Sequence, residues 1–217
     1  QCGWEGHALN LRAHCWSQTA DIEELSFDTY VEDAVAGFEA LERPAVVVGH
    51  GLGALLAMKV AEGREIDALV LICPAIPAPV RPVPPSHVVR LVPATYQAEL
   101  IDWAGSHEHV QRQNQDLTLA DVRRIQHLMG AESGAARRQM LAGVFVDRDR
   151  LPDVPMLVIG AGLDRQFAEA DSARLADWLG AEYQPFGAHS HYGAVLGEQG
   201  FDQVADTIRS FLENHRL

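Results

Sequence analysis

Val46-Val47-Val48-Gly49-His50-Gly51-Leu52-Gly53-Ala54-Leu55-Leu56 is the stretch from which the fold is read. A run of β-branched side chains fills a pleated surface covered on both sides, so Val46–Val48 reads as a buried strand. Three glycines in five residues follow. Residues 54–61 then supply good helix formers with apolar spacing. Strand, tight glycine turn and helix make the frame of a nucleophile elbow, G-x-S-x-G. Only small residues fit beside its central residue, because strand and helix nearly touch. The central position should carry Ser, Cys or Asp; here it is Gly51. A glycine-rich strand-to-helix turn also suits phosphate. The spacing G-x-G-x-G is neither the dinucleotide fingerprint nor the Lys-Ser/Thr end of a P-loop.

Composition bounds the partners. The chain has 217 residues, 47% of them hydrophobic, enough for one domain with a core. Its net charge of −13 argues against nucleic acid or anionic membrane as a partner, since both attract cationic patches. No apolar run approaches the length of a bilayer span and no signal peptide is visible. Cys2, Cys15 and Cys73 give neither metal spacing nor a disulfide framework, which points to a reducing cytoplasm. No cofactor motif appears, so the expected ligand is a small-molecule substrate alone.

Outward from the elbow, strands alternate with helices. His7–Leu11 reads as a short strand and Arg12–Ser17 as a loop. Ser26 caps a helix with Asp28 in its first turn, and Phe27, Tyr30, Val31, Ala34, Val35, Phe38 and Leu41 form one face. Arg43-Pro44 ends that helix. Ile66–Cys73 is a second buried strand, stopped by Pro74. Six prolines between Pro74 and Pro85 exclude continuous regular structure. From Ser86 to about Arg150 the pattern turns helical, with a capping-box-like start at Thr118–Asp121. Either a cap over a pocket or a plain helical layer fits this insert. Pro155–Gly160 is a third strand, ending near Asp164. Asp171–Gly180 is a helix, Ala181–Phe186 a last strand, and Phe201–Leu212 a final amphipathic helix. The expected fold is α/β, a mostly parallel sheet flanked by helices, with core segments 1–74 and 151–217 and a helical cap at 75–150.

Gly49-His50-Gly51-Leu52-Gly53 after one strand, Asp164 after a later one, and His189 and His191 after the last follow the order nucleophile, acid, His. That order resembles the α/β-hydrolase superfamily. The likeness runs from about His7 to Leu212, and Leu9–His14 resembles the family loop that often ends Arg-Gly-His. The resemblance implies Asp164 as acid and His191, ahead of His189, as base. Asp164 would fix the tautomer of that His. The backbone N–H of Leu52 would be one oxyanion donor. His50, Trp103, His189 and Tyr192 are candidate substrate contacts; Tyr96 and His107 are others, and ordinary packing explains such residues equally well. Asp164 also suits a plain turn, His191 a loop without a role, and His189-Ser190-His191 a metal pair lacking a third ligand.

Two departures from the family bear on function. Gly51 has no nucleophile, so no acyl-enzyme forms there. The family also places a strand between His7–Leu11 and Val46–Val48, and this chain has none. Missing N-terminal strands supplied by the rest of a longer polypeptide, or by another chain, would fill the gap. Three readings follow: an ester hydrolase scaffold for a small apolar or mixed substrate that has lost its Ser; a lyase or cyclase using His191 and Asp164 as general base without a nucleophile; and a non-catalytic ligand-binding protein.

Overall fold

Branched and small apolar residues at alternating positions build a sheet covered on both faces. The computed structural model describes residues 4–41, 45–81 and 91–217. Its strands are β1 (Val46–His50), β2 (Ala68–Ile72), β3 (Thr95–Tyr96), β4 (Glu132–Ser133), β5 (Met156–Ala161) and β6 (Glu182–Phe186). Its α-helices are α1 (Phe27–Glu39), α2 (Leu52–Ala61), α3 (His107–Gln113), α4 (Leu119–Leu128), α5 (Gly134–Ala142), α6 (Glu169–Leu179), α7 (Gly193–Leu196) and α8 (Glu198–Asn214). The main sheet runs β1-β2-β5-β6, parallel throughout, with Val46 beside Ala68 and His50 beside Ile72. Parallel strands need crossover helices, and these cover the faces.

The period-2 alternation divides the core. Leu69, Leu71, Met156 and Val158 face one cluster with side chains of α1, α2, α5 and α6. Ala68, Val70, Ile72, Leu157 and Ile159 face a second with Val204, Phe211 and Leu212 of α8. The capping box expected at Thr118–Asp121 forms, and the expected Ser26 cap proves to be a capping box as well, with Thr29.

The segment after β2 splits in two. Trp103, Val110, Leu117, Val122 and Ile125 form a cluster of their own, joined by Tyr192 and Leu196. Ala136, Met140, Val146 and Leu151 instead pack into the main core. The α5 helix is tied to α1, since Gln139 Oε1 accepts from the Phe27 N–H at 2.6 Å. Pro74–Arg81 is irregular, as its prolines require. Cys2, the Arg43-Pro44 helix stop, the later prolines and the Ser86 start of the helical insert lie outside the described residues.

The expected strand at His7–Leu11 does not form. The segment lies without ladder bonds beside a groove of about 650 Å³ along β1, lined by Leu9, Phe38, Val46, Val48, Leu56 and Val60 among others. A strand needs a neighbour to hydrogen-bond, and among the described residues β1 pairs only with β2. Val48 is therefore 51% exposed on a strand whose composition suits burial. No helix among the described residues is long and apolar enough to cross a membrane.

Strand and helix all but touch at the elbow. A Cβ on Gly49 would lie 2.4 Å from the Gly53 carbonyl oxygen and 2.7 Å from Ala54 Cα, so β1 can approach α2 only without a side chain there. Gly53, by contrast, has open space around its Cβ position. Gly49→Ala is expected to destabilise the protein by about 1–3 kcal/mol or more through overpacking, while Gly53→Ala costs under about 1 kcal/mol, both read from urea midpoints.

Candidate active site

Gly51 heads α2 in a conformation that side chains rarely adopt, φ +57° and ψ −123°. Backbone bonds pin the turn whatever its side chain. Gly51 N donates to Ile72 O at 3.0 Å, and Gly51 O accepts from Ala54 N at 3.1 Å and Ala75 N at 3.0 Å. Leu52 follows as the first helical residue, where backbone N–H groups lack intrahelical acceptors and the dipole favours negative charge.

Asp164 and His191 meet opposite this turn, each from the loop after a strand. Asp164 follows β5, and its side chain is fully buried. Its Oδ1 accepts from the N–H groups of Gln166 at 2.7 Å and Phe167 at 2.9 Å. Its Oδ2 accepts from His191 Nδ1 at 2.7 Å. A carboxylate bonded this way only accepts, so the imidazole proton sits on Nδ1 and Nε2 presents a lone pair. That lone pair faces the elbow: a Cβ on Gly51 would lie 3.0 Å from Nε2 and 3.7 Å from the Phe167 ring. An acid, an oriented base and the vacant side-chain position of the elbow thus line up in the order that proton transfer from a nucleophile needs.

His50 positions the base. Its Nε2 donates to the His191 carbonyl at 3.1 Å, and the two rings stack with centroids 4.2 Å apart. Burial, and then the neighbouring His191, push its pKa well below 6.5, so it stays neutral. Cys73, just past β2 and buried, donates toward Asp164. Loss of solvent and the carboxylate's charge push this thiol far up, leaving it inert. His50, Cys73 and His191 bring three donor atoms within 4.8 Å of one another. His50 Nε2 is spent on the His191 carbonyl and the Cys73 thiol stays protonated beside Asp164, which leaves only His191 Nε2 as an open donor, so the arrangement does not suit a metal ion.

The cavity over Gly51 measures about 410 Å³, within the range for a small-molecule site. It joins Gly51, Leu52, His50, His191 and Tyr192 with Phe167 and Gln166. Tyr192 sets its ring edge to His191, centroids 5.0 Å apart. Two expected contacts are not brought in. Trp103 lies behind Tyr192, packed edge-to-face at 5.0 Å inside the α3–α4 cluster. His189 points away: its Nε2 bonds Gln203 Oε1 of α8 at 2.9 Å, and its ring packs on Phe186. Residues 189–191 lie outside β6 in irregular chain, so the two imidazoles are free of the shared face that a two-residue spacing has in a strand.

Several site residues escaped sequence reasoning. Asp116 accepts from the N–H of Ser190 at 2.7 Å and its hydroxyl at 3.1 Å, tying the His191 loop to the helical insert. His14, Tyr30, Glu132 and Arg137 line the far wall of the cavity, beside Tyr96, which the sequence offers as a candidate. No spacing rule connects these residues, which come from the first loop, α1, β3, β4 and α5. Ala13 offers one local signal: its φ of +64° is the conformation that the glycine of an Arg-Gly-His loop would favour.

Comparison with known proteins was informative at the level of family and fold. The sequence model described as "Alpha/beta hydrolase family" matches residues 2–207. No curated protein matches. Among solved structures, a mutant of polyneuridine aldehyde esterase superposes with a TM-score of 0.67 at 14% identity, covering 95% of this chain and 86% of that one. A bromoperoxidase from Bacillus anthracis gives 0.67 at 15% identity, covering 94% and 80%. A hydrolase from Pseudomonas aeruginosa gives 0.62 at 21% identity, covering 94% and 77%.

His50 makes a testable contribution to stability. Its folded pKa lies below 6.5, so between the two values the unfolded chain binds more protons, and stability rises with pH. The contribution is complete above 6.5 and is lost as pH falls toward the folded value. His50→Gln keeps an N–H for the His191 carbonyl but cannot titrate. Urea midpoints of the wild type should fall from about pH 7 to about pH 5 more steeply than those of His50→Gln.

Proposed function

The chain belongs to the alpha/beta hydrolase family, and from that premise we propose that it is a carboxylic-ester hydrolase scaffold in which Gly51 stands where the nucleophilic hydroxyl would be. The observation that carries this reading is the 2.7 Å Asp164–His191 pair, with Nε2 directed at the vacant Cβ position of residue 51. Asp164 would hold the imidazole and stabilise its cation. The Leu52 N–H, at the positive end of α2, would stabilise an oxyanion. A small molecule of apolar or mixed character fits the cavity size and its Tyr, Phe and His lining. The open edge of β1 would receive a further strand by strand addition, from another stretch of polypeptide. The loop after that strand would complete the oxyanion hole.

A second reading has its own support. His191 Nε2 sits so close to the Gly51 Cβ position that the imidazole fronts the cavity with nothing between them. It could then remove a proton directly from substrate or from water, giving elimination or addition without a covalent intermediate.

Removing the Ser of a triad costs about 10⁶ in kcat. Gly51→Ser in the full chain is therefore expected to raise p-nitrophenyl ester hydrolysis at least ~100-fold, with His191→Ala in the same background abolishing the gain. The added side chain should also cost about 1–3 kcal/mol of stability, because position 51 keeps its positive φ. A folded Gly51→Ser protein that turns over no ester would sink the first reading. Loss of turnover in His191→Ala with Gly51 unchanged would favour the second.

A further inference from the structure

The cavity over Gly51 does not share the acidic balance of the molecule, since its lining holds one arginine and one carboxylate. The protein carries −13, yet Arg137 on α5 lines this cavity with no carboxylate within ion-pair distance among the described residues. Its guanidinium lies 5.0 Å from the centroid of the Tyr96 ring. The one carboxylate in the lining, Glu132, is taken by His14, Nε2 to Oε2 at 3.1 Å. Asp164 lies behind His191 and does not line the space. Arg137 is thus the charged group of the wall that no ion pair engages among the described residues.

Its place on the helix is also unusual. Ser133 caps α5, so Arg137 sits in the first turns, where the helix dipole disfavours a cation. A cation held there against the dipole, with the Tyr96 side chain as its neighbour and no ion-pair partner among the described residues, gains from a further anionic partner. Tyr30 supplies a second donor. It lines the same cavity, only 1% exposed, and its hydroxyl has no hydrogen-bond partner. A nearby backbone N–H at Ser133 can only donate to the phenol oxygen, which leaves the phenolic proton without an acceptor. A guanidinium fork that meets only the Tyr96 side chain and no carboxylate, with an unspent O–H on the same wall, suits an anionic group with several lone pairs.

We propose that the cavity over Gly51 takes a small molecule carrying a carboxylate, and that Arg137 is the residue that reads it. This rests on the reading that the cavity is where the reaction occurs. The carboxylate would sit against the Arg137 wall, and the reacting carbonyl would reach the Gly51–Leu52–His191 end. A neutral ester of the same shape would leave the guanidinium desolvated and unpaired, which is how such a site rejects it.

Binding tests this without any turnover, so the outcome is independent of whether Gly51→Ser hydrolyses esters. Calorimetry would compare monoethyl succinate, diethyl succinate and ethyl phosphate on the unaltered chain, Arg137→Gln and Arg137→Lys. The half-ester should bind at least about 10-fold tighter than the diester, with Arg137→Gln removing most of that preference and Arg137→Lys keeping part of it. Raising salt from about 0.05 to about 0.5 M should weaken the half-ester and leave the diester unchanged. Equal affinity for the half-ester and diester, or a preference untouched in a folded Arg137→Gln protein, would overturn the proposal. Tighter binding of ethyl phosphate than of the half-ester would overturn the carboxylate assignment. Should Arg137→Gln fail to fold, a salt-insensitive preference in the unaltered chain would overturn it equally.

Discussion

The near-contact between β1 and α2 is the constraint on which the rest of the site depends. At Gly49 the strand passes within a Cβ's reach of the Gly53 carbonyl. The chain must then reverse between strand and helix in very few residues. It does so by putting residue 51 at φ +57°, and the Ile72, Ala54 and Ala75 bonds hold it there from both sides. The turn aims residue 51 at the end of the sheet where the loops after β5 and β6 converge. Sites in open α/β sheets form at such strand C-ends because the loops there are free to diverge while the strands stay fixed.

Proton handling is built inward from that geometry. Two backbone N–H groups saturate one oxygen of Asp164, leaving the other to orient His191. His50 grips the main chain of His191 and stacks on its ring. Its own neutrality matters: a cation 4.2 Å from the His191 ring would oppose the imidazolium that general-base action creates. Asp116 reaches from the helical insert to hold Ser190, so the loop carrying the base is fixed from both sides.

Much of this was legible in the sequence, and for physical reasons. The elbow, the helix caps at Ser26 and Thr118 and the strand periods are local patterns, and local patterns survive folding. The meeting of Asp164 and His191 was legible because each lies just past a buried strand, in an order tied to a known fold. The choice between His189 and His191 was not local; it turned on which face of a loop meets Gly51 and which meets Gln203 of α8. The far wall was illegible, since Tyr30, Glu132 and Arg137 share no period and meet only because α5 packs on α1. The expected strand at His7–Leu11 shows the reverse case. Its residues suit a strand, but a ladder takes two, and the edge of β1 beside it stays unpaired among the described residues.

A glycine at residue 51 fits the energetics of the turn. A side chain there is strained by about 1–3 kcal/mol, a cost that glycine does not carry. The contacts that orient His191 come from Asp164, His50 and Phe167, and none of them uses residue 51. Removing a nucleophile therefore relieves strain without loosening the groups that would have served it. In an active site where each member leaned on the next, losing one would let the others drift. Here the acid is anchored by backbone and the base by a neighbouring ring and a carbonyl, so the proton-handling pair persists as a property of the fold rather than of the missing group.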